Sequence, residues 1–557
     1  MTKDMTQGKP LQLILLFSVP LMLGSLFQQF YNMADTIIVG RFVGVEALAA
    51  VGSVGGLSYL VLGFVNGIAC GFAIPLARCF GARDGEGMRR YTANSVWLSL
   101  LFGAVLTAAT VALTRPILVL TNTPADIIDM ADVYIRTIFA GIPFTLLYNV
   151  TSAYMRALGD SRRPLYFLIV ASVLNIFLDI FFILAFDAGV FGAALATVIS
   201  QAVAGVWSLL YMVKNFRMLG WSREEGRFSP SHCADLCMMG LPMGLQCSIT
   251  AVGNIVLQAA VNGLGSAAVA AMTAGGKAGQ ILSVPLESIG TAMTTYVGQN
   301  LGAGSLPRVR QGVRTALGIG CLYSVASFVI LHFTDTLLIG MFLDASEDAG
   351  GAIMADARAY LFWNSVFYIP LAVLIVYRYS IQGLGFSGLA MFAGVFEMFA
   401  RGLVGFYLVP VFGYWAGCIA SPVAWFAACF FLMPAYHLAL RRLSSARDAG
   451  PLRMARAKGY PKRVAIAPRS RGNPFLPAAQ DRNSFPLVSP WGQNLPPNRA
   501  LGLAASHTLS AKFPCMCPVH PHMSAGRDFF LTIWLLHKMR RGGLFAWIDA
   551  ARRSGYT

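Results

Sequence analysis

Two short constellations in this sequence could carry ion chemistry. In QQFYNMADTIIVG, residues 28 to 40, Gln28, Asn32 and Asp35 follow one another at i, i+4 and i+7, which places three polar side chains on one stripe of a helix. In NIFLDIFF, Asn175 and Asp179 stand four residues apart among apolar neighbours, and Thr197 in GAALATVIS offers a hydroxyl. A carboxylate near the middle of a membrane costs about 2.5 to 3.5 kcal/mol on insertion scales, so it is a functional candidate. Asp35 lies nearer the outer end of its run, where that cost falls and a merely satisfied interfacial carboxylate is the competing reading. A pair of aspartates amid amide and hydroxyl groups can hold a proton, because burial and a like charge both favour the neutral acid. The same oxygens could ligate Na⁺, and the residue types leave that choice open.

The elements that must position these side chains are long apolar runs. Apolar residues make up 56% of the 557-residue chain and charged residues only 12%, about half the charge of an ordinary soluble domain. Runs of about 20 apolar residues read as membrane-spanning helices, here twelve: 11–39, 46–80, 91–114, 131–155, 164–186, 189–213, 235–262, 267–300, 312–335, 355–382, 388–409 and 414–439. The first run is followed by many like it and lacks a small-x-small cleavage site, so it reads as a helix and not a signal peptide. One set of loops carries Arg83, Arg89, Arg90, Arg156, Arg162, Arg163, Lys214, Arg217, Arg223, Arg227, Arg308, Arg310 and Arg314. The other set has Arg41 and Arg115 and is otherwise acidic or neutral, as in TNTPADIIDMAD and FLDASEDAGG. The positive-inside rule then puts both termini in the cytoplasm.

The net charge of +17 is no nucleic-acid signature, because residues 445–557 alone contribute +13 of it. That basic tail also holds 12 of the 27 prolines and reads as disordered or as an extension foreign to the membrane domain. Its apolar island FFLTIWLL is too short to span. Its CMCPVHPH has an atypical spacing for zinc, so no metal site is expected there.

The two halves of the chain repeat one another. VGVEALAAVGSVGG from Val43 lies over LGSAAVAAMTAGGK from Leu264, and the same shift superposes Gly81-Ala82 on Gly302-Ala303. MRALGDS (155–161) lies over IQGLGFS (381–387), and Pro20 corresponds to Pro242. Each half holds six spans, so both enter the membrane from the same side. The expected fold is an all-α polytopic membrane protein, twelve transmembrane helices in two six-helix lobes related as a parallel internal repeat. The expected domains are 1–225 (N-terminal lobe), 226–444 (C-terminal lobe) and the 445–557 tail. Pro20, Pro75, Pro143, Pro242, Pro285 and Pro370 each remove a helix hydrogen bond and mark possible bends.

Such parallel repeats are a secondary-transporter arrangement, with a substrate site between the lobes. The sequence contains no P-loop, GxSxG or HExxH, so an ion gradient is the expected driving force. Other charges inside spans, Lys277, Glu287 and the i, i+4 pair Glu397/Arg401, read as neutralised structural groups. Cys70, Cys79, Cys247, Cys321, Cys418 and Cys429 read as small hydrophobes.

VPLMLGSLFQQFYNMADTIIVGRFVGVEALAAVG, RALGDSRRP at 156–164, GQNLGAG at 298–304, and N-x3-D followed by GVFGAALAT together resemble the multidrug and toxic compound extrusion (MATE) family over about residues 10 to 440. The resemblance implies that Asp35 is the first-helix carboxylate of cation coupling, with Asn175, Asp179 and Thr197 as partners. It implies a bend of the first helix at Pro20, and Tyr134 lining the same cavity alongside Gln28 and Asn32. Some members hold the cation through acids of the seventh and tenth helices. GLQCSITAVGNIVLQ and YIPLAVLIVYRYS contain none, which points to the first lobe.

The implied activity is antiport at the cell inner membrane by a monomer without cofactor, an organic, often cationic, amphipathic drug or toxin leaving as H⁺ or Na⁺ enters. A lipid or lipid-linked oligosaccharide flippase of the same superfamily would want a cationic cavity. The residues expected to line this one read as apolar or acidic, Lys277 excepted. A membrane-embedded lipid-modifying enzyme would want a catalytic cluster, and His232, His332 and His437 are scattered.

Overall fold

In hydrocarbon a chain must satisfy its own backbone, so apolar runs fold as helices. The computed structural model describes residues 3–121, 123–343 and 351–448, and no strand occurs among them. The first half comprises α1 (Pro10–Phe42), α2 (Val45–Ser53), α3 (Gly55–Ala82), α4 (Gly85–Leu120), α5 (Ile128–Ala140), α6 (Ile142–Ala157), α7 (Arg162–Phe186) and α8 (Gly189–Asn215). The second comprises α9 (Pro230–Asn262), α10 (Ser266–Gly302), α11 (Leu306–Gly340), α12 (Ala352–Val366), α13 (Tyr368–Gly383), α14 (Ser387–Leu403), α15 (Val409–Phe412) and α16 (Tyr414–Asp448). The tail beyond Asp448, with its CMCPVHPH and FFLTIWLL segments, and residues 344–350 of the acidic loop lie outside the described residues.

Among the described residues nine helical spans are long and apolar enough to cross a membrane, and two bent pairs bring the number to eleven. The 37-residue α10 makes the twelfth; Lys277, Gln280, Glu287, Gln299 and Asn300 lower its hydropathy without shortening it. The bent pairs are α5–α6, at 45°, and α12–α13, at 53°. Pro143 and Pro370 sit just past these bends and lack the N–H that would bond back to Phe139 and Val366. Pro20, Pro75, Pro242 and Pro285 stay inside α1, α3, α9 and α10. The stretch read as one span from 46 breaks at Val54, between α2 and α3, where Gly52, Gly55 and Gly56 weaken the helix. A five-residue π turn, Val404–Leu408, joins α14 to α15.

Apolar packing separates two lobes. One buried cluster draws on residues 50–236, around Phe72, Phe139 and Tyr154; the other draws on 271–443, around Tyr296, Leu374 and Trp425. The first helix of each lobe starts in the other's core. Met5, Leu13, Ile14 and Phe17 pack in the second cluster, whereas Cys233 and Leu236, from the start of α9, pack in the first.

The lobes meet along α3, α9 and α10 at the arginine-rich end, through contacts that obey the repeat. Arg78 donates to the Gly383 carbonyl at 3.5 Å, and Gln299, its counterpart, donates to the Ala157 carbonyl at 2.8 Å. A Cβ on Gly67 would stand 2.6 Å from the Gly244 Cα. One on Gly81 would strike the Gln299 carbonyl, and one on Gly302 the Arg78 carbonyl. The N-terminal segment closes the seam: Met5 donates its N–H to Gln299 Oε1 at 2.9 Å, and Arg308 donates to the carbonyls of Gly8 and Met5.

Candidate functional site

The polar residues of the first lobe converge where the outer half of α1 packs on α7 and α8. Asp179 is fully buried and Asn175 nearly so, one turn apart on α7. Asn175 Nδ2 donates to Asp179 Oδ1 at 3.5 Å and to Thr197 Oγ1, on α8, at 3.4 Å. Across from them, the half-buried Asp35 brings its carboxyl within hydrogen-bonding reach of Asp179. The half-buried Tyr134, on α5, lies near both carboxyl groups. It packs with Ile38, Val39, Ile183 and Val190, which seal the site on its apolar side.

A cavity of about 10 Å³ opens beside these groups, lined by Tyr31, Ser172, Asn175, Thr197, Ser200, Gln201 and apolar residues. That is room for one water or a small ion. Asn175 Oδ1, Ser200 Oγ and Gln201 Oε1 on its lining are buried without a hydrogen-bond partner, as are Asp35 Oδ1 and Asp179 Oδ2 of the neighbouring carboxyl groups. A buried polar atom left unpaired costs about 1–3 kcal/mol. A surplus of acceptors is offset by a species that is positive, such as a shared proton or a cation.

The structure thus brings together Asp35, Asn175, Asp179, Thr197 and Tyr134. Gln28 and Asn32 are exposed on α1, and Gln28 lies beside the Tyr31 hydroxyl. Pro20 is buried in α1, between the residues that pack on the second lobe and those that pack on the first. Tyr31, Ser200 and Gln201 are additions. Tyr31 was visible in principle, four residues before Asp35. Ser200 and Gln201 follow Thr197 by one turn.

The second lobe departs from its sequence reading. Glu397 pairs with Arg401 at 3.7 Å, but a further guanidinium, that of Arg378, is its closer partner. All three residues are buried. Arg378 stands in the YIPLAVLIVYRYS segment and joins Glu397 and Arg401 as a buried charge that the sequence did not single out. Lys277 is exposed and lies 5.9 Å from the centre of the Phe342 ring, and Glu287 accepts from the Tyr379 hydroxyl at 2.6 Å.

Comparison with known proteins agrees with this architecture. The model of the MatE family matches residues 20–181 and 242–408, one stretch in each half. The "Probable multidrug resistance protein YpnP" of Bacillus subtilis (strain 168) is 31% identical over 389 residues, 69% of this chain and 84% of that protein. The "Probable multidrug resistance protein NorM" of Thermotoga maritima is 26% identical over 416 residues, 72% of this chain and 88% of that protein. A solved structure described as the outward-facing conformation of a multidrug resistance MATE family transporter of the MOP superfamily superposes with a TM-score of 0.74 at 23% identity, covering 80% of this chain and 99% of the other. With twelve spans in two repeated lobes and a family match in each half, the chain belongs to the MatE family.

Proposed function

We propose that this protein is a multi-pass exporter that drives amphipathic, often cationic, drugs or toxins out of the cell by antiport with H⁺ or Na⁺. The names of its relatives, multidrug resistance proteins, support drugs as the substrates. The observation that carries the coupling is the set of unpaired acceptor oxygens shared by α1, α7 and α8. In this reading Asp35 and Asp179 take up the ion, with Asn175 and Thr197 as neutral ligands. Its binding removes the repulsion between the two carboxylates and lets α1 rearrange about Pro20, which changes the cavity that Tyr134, Gln28 and Asn32 flank. Free energy flows because the two conformations hold the ion with different affinity. No catalytic step is involved.

The seam at the arginine-rich end supports an assignment of this conformation as closed to the cytoplasm, with both termini on that side of the inner membrane and a monomer as the working unit. The segments 1–225 and 226–444 serve as the two lobes. A flippase reading is weakened by the second lobe, where both guanidinium groups are turned onto Glu397.

The experiment is uptake of a fluorescent cation into inside-out proteoliposomes, with proton and sodium gradients imposed separately. Uptake should follow one gradient, be abolished in Asp35→Asn and Asp179→Asn, and fall partially in Thr197→Val. Full gradient-driven uptake by Asp35→Asn would overturn the coupling assignment.

A further inference from the structure

A second cavity, of about 310 Å³, opens at the arginine-rich end of the second lobe, far along the helices from the polar site of the first lobe. Its rim carries three guanidinium groups. Arg310 and Arg314 are one turn apart on α11, and Arg441 lies near the end of α16. All three are exposed, and among the described residues none is paired with a carboxylate. Their neighbour Arg308 is used otherwise, bonded to Asn300 and the N-terminal segment. The floor is aromatic. Tyr377 and Tyr436 meet edge to face at 5.1 Å, and His437 packs on Tyr436 at 5.5 Å.

The chemistry of this cleft is the reverse of that in the first lobe. Tyr436 is 4% exposed, and its buried hydroxyl has no hydrogen-bond partner. Tyr377, Arg310 and Arg314 are its electrostatic neighbours, and the two guanidinium groups can only donate. The His437 Nδ1 donates to the Met433 carbonyl at 2.8 Å. Three guanidinium groups therefore converge from two helices with no carboxylate paired to them among the described residues, a pattern completed by an anion with several oxygens. Val313, Leu317 and Leu440 form the inner wall. Farther from the arginine-rich end, α11 and α16 present exposed Leu322, Val325, Val329, Met433 and Phe430. Leu322 stands about 12 Å along the axis from Arg314. A ligand with a phosphate at one end and hydrocarbon at the other fits both parts.

We propose that this cleft binds the phosphodiester headgroup of an anionic phospholipid. Arg310, Arg314 and Arg441 grip the phosphate, the Tyr436 hydroxyl donates to one of its oxygens, and the acyl chains lie along the exposed ridge of α11 and α16. Basic clefts between helices at the cytoplasmic face are where anionic lipids are captured. The lipid would act on the second lobe alone, because α11, α13 and α16 all pack in its apolar cluster.

The test is native mass spectrometry of the delipidated full-length protein titrated with phosphatidylglycerol or phosphatidylcholine of identical acyl chains. Phosphatidylglycerol should bind at least about tenfold more tightly, the equivalent of one charge-assisted hydrogen bond. The Arg310→Gln/Arg314→Gln variant should lose that preference. Tyr436→Phe, which keeps the ring and removes only the hydroxyl, should weaken it several-fold, and Arg442→Gln, outside the cleft, should leave it intact. A thermal melt of each variant separates lost binding from lost folding. Equal retention of both lipids, or an unchanged preference in a folded double-arginine variant, overturns the proposal. Displacement of phosphatidylglycerol by millimolar inorganic phosphate overturns it too, by assigning the cleft to a soluble anion.

Discussion

Adding a single methyl group at the seam should unlock one end of the bundle. A Cβ on Gly81 collides with the Gln299 carbonyl, and one on Gly302 collides with the Arg78 carbonyl. Both obstacles are helix backbone, which cannot rotate aside as a side chain can, so the contact is relieved by separating α3 from α10. Overpacking of this kind costs about 1–3 kcal/mol, borne only by the conformation in which the lobes touch here. Gly81→Ala should therefore shift the balance towards a state open at the arginine-rich end by roughly 5- to 150-fold. The double variant should add little, because one displacement relieves both clashes. Gly318→Ala is the control: nothing lies within 4 Å of its added Cβ, so stability should stay within about 0.5 kcal/mol of the parent. Spin labels at Arg83 and Ala303, both exposed and each capping one of these helices, would report the separation in a background cleared of accessible cysteines. An unchanged distance distribution in Gly81→Ala would refute the closed seam.

Two further outcomes follow from charged groups. Glu397→Gln removes the carboxylate paired with both buried guanidinium groups, those of Arg378 and Arg401, a loss of about 3–5 kcal/mol that should appear as a large drop in melting temperature. Arg401→Gln should cost less, because the Arg378–Glu397 pair survives. In the loop before α9, the Arg89 guanidinium holds Glu225 through bonds of 2.9 Å to both oxygens, and with the Ser222 N–H lowers its pKa from 4.5 to about 2. The sign is that of a depressed acid: docking of the loop is fully present above pH 4.5 and is lost as the pH falls towards 2. Hydrogen exchange of residues 216–229, corrected for intrinsic rate, should stay slow down to about pH 3. In Arg89→Gln it should be fast throughout.

Much of the first lobe was legible because a polar residue in a lipid-length run stands out. Asn175 and Asp179, four apart in an apolar run, needed only the helical period to share a face. Tyr31, Ser200 and Gln201 did not stand out, because tyrosines and small polar residues in membrane helices commonly bond within their own helix, as Ser172 does to Leu168. The bends at 140–143 and 366–370 were marked by prolines. The break at Val54 was hidden, since glycines are common in unbroken membrane helices too. Arg378 escaped notice for another reason: its partner Glu397 is 19 residues away on another helix, and no periodicity links two helices.

The exchange of helix starts between the lobes bears on how the chain is made. Met5, Leu13, Ile14 and Phe17 are made before the α10 and α11 residues they pack on, which follow nearly three hundred positions later. Lobes that matured one after the other would leave this segment without a partner throughout the synthesis of the first. The beginning of α9 meets no such delay, because the core it enters is already complete. The start of α1 therefore reaches its final place only after α10 and α11 have been made, and the two lobes cannot mature independently.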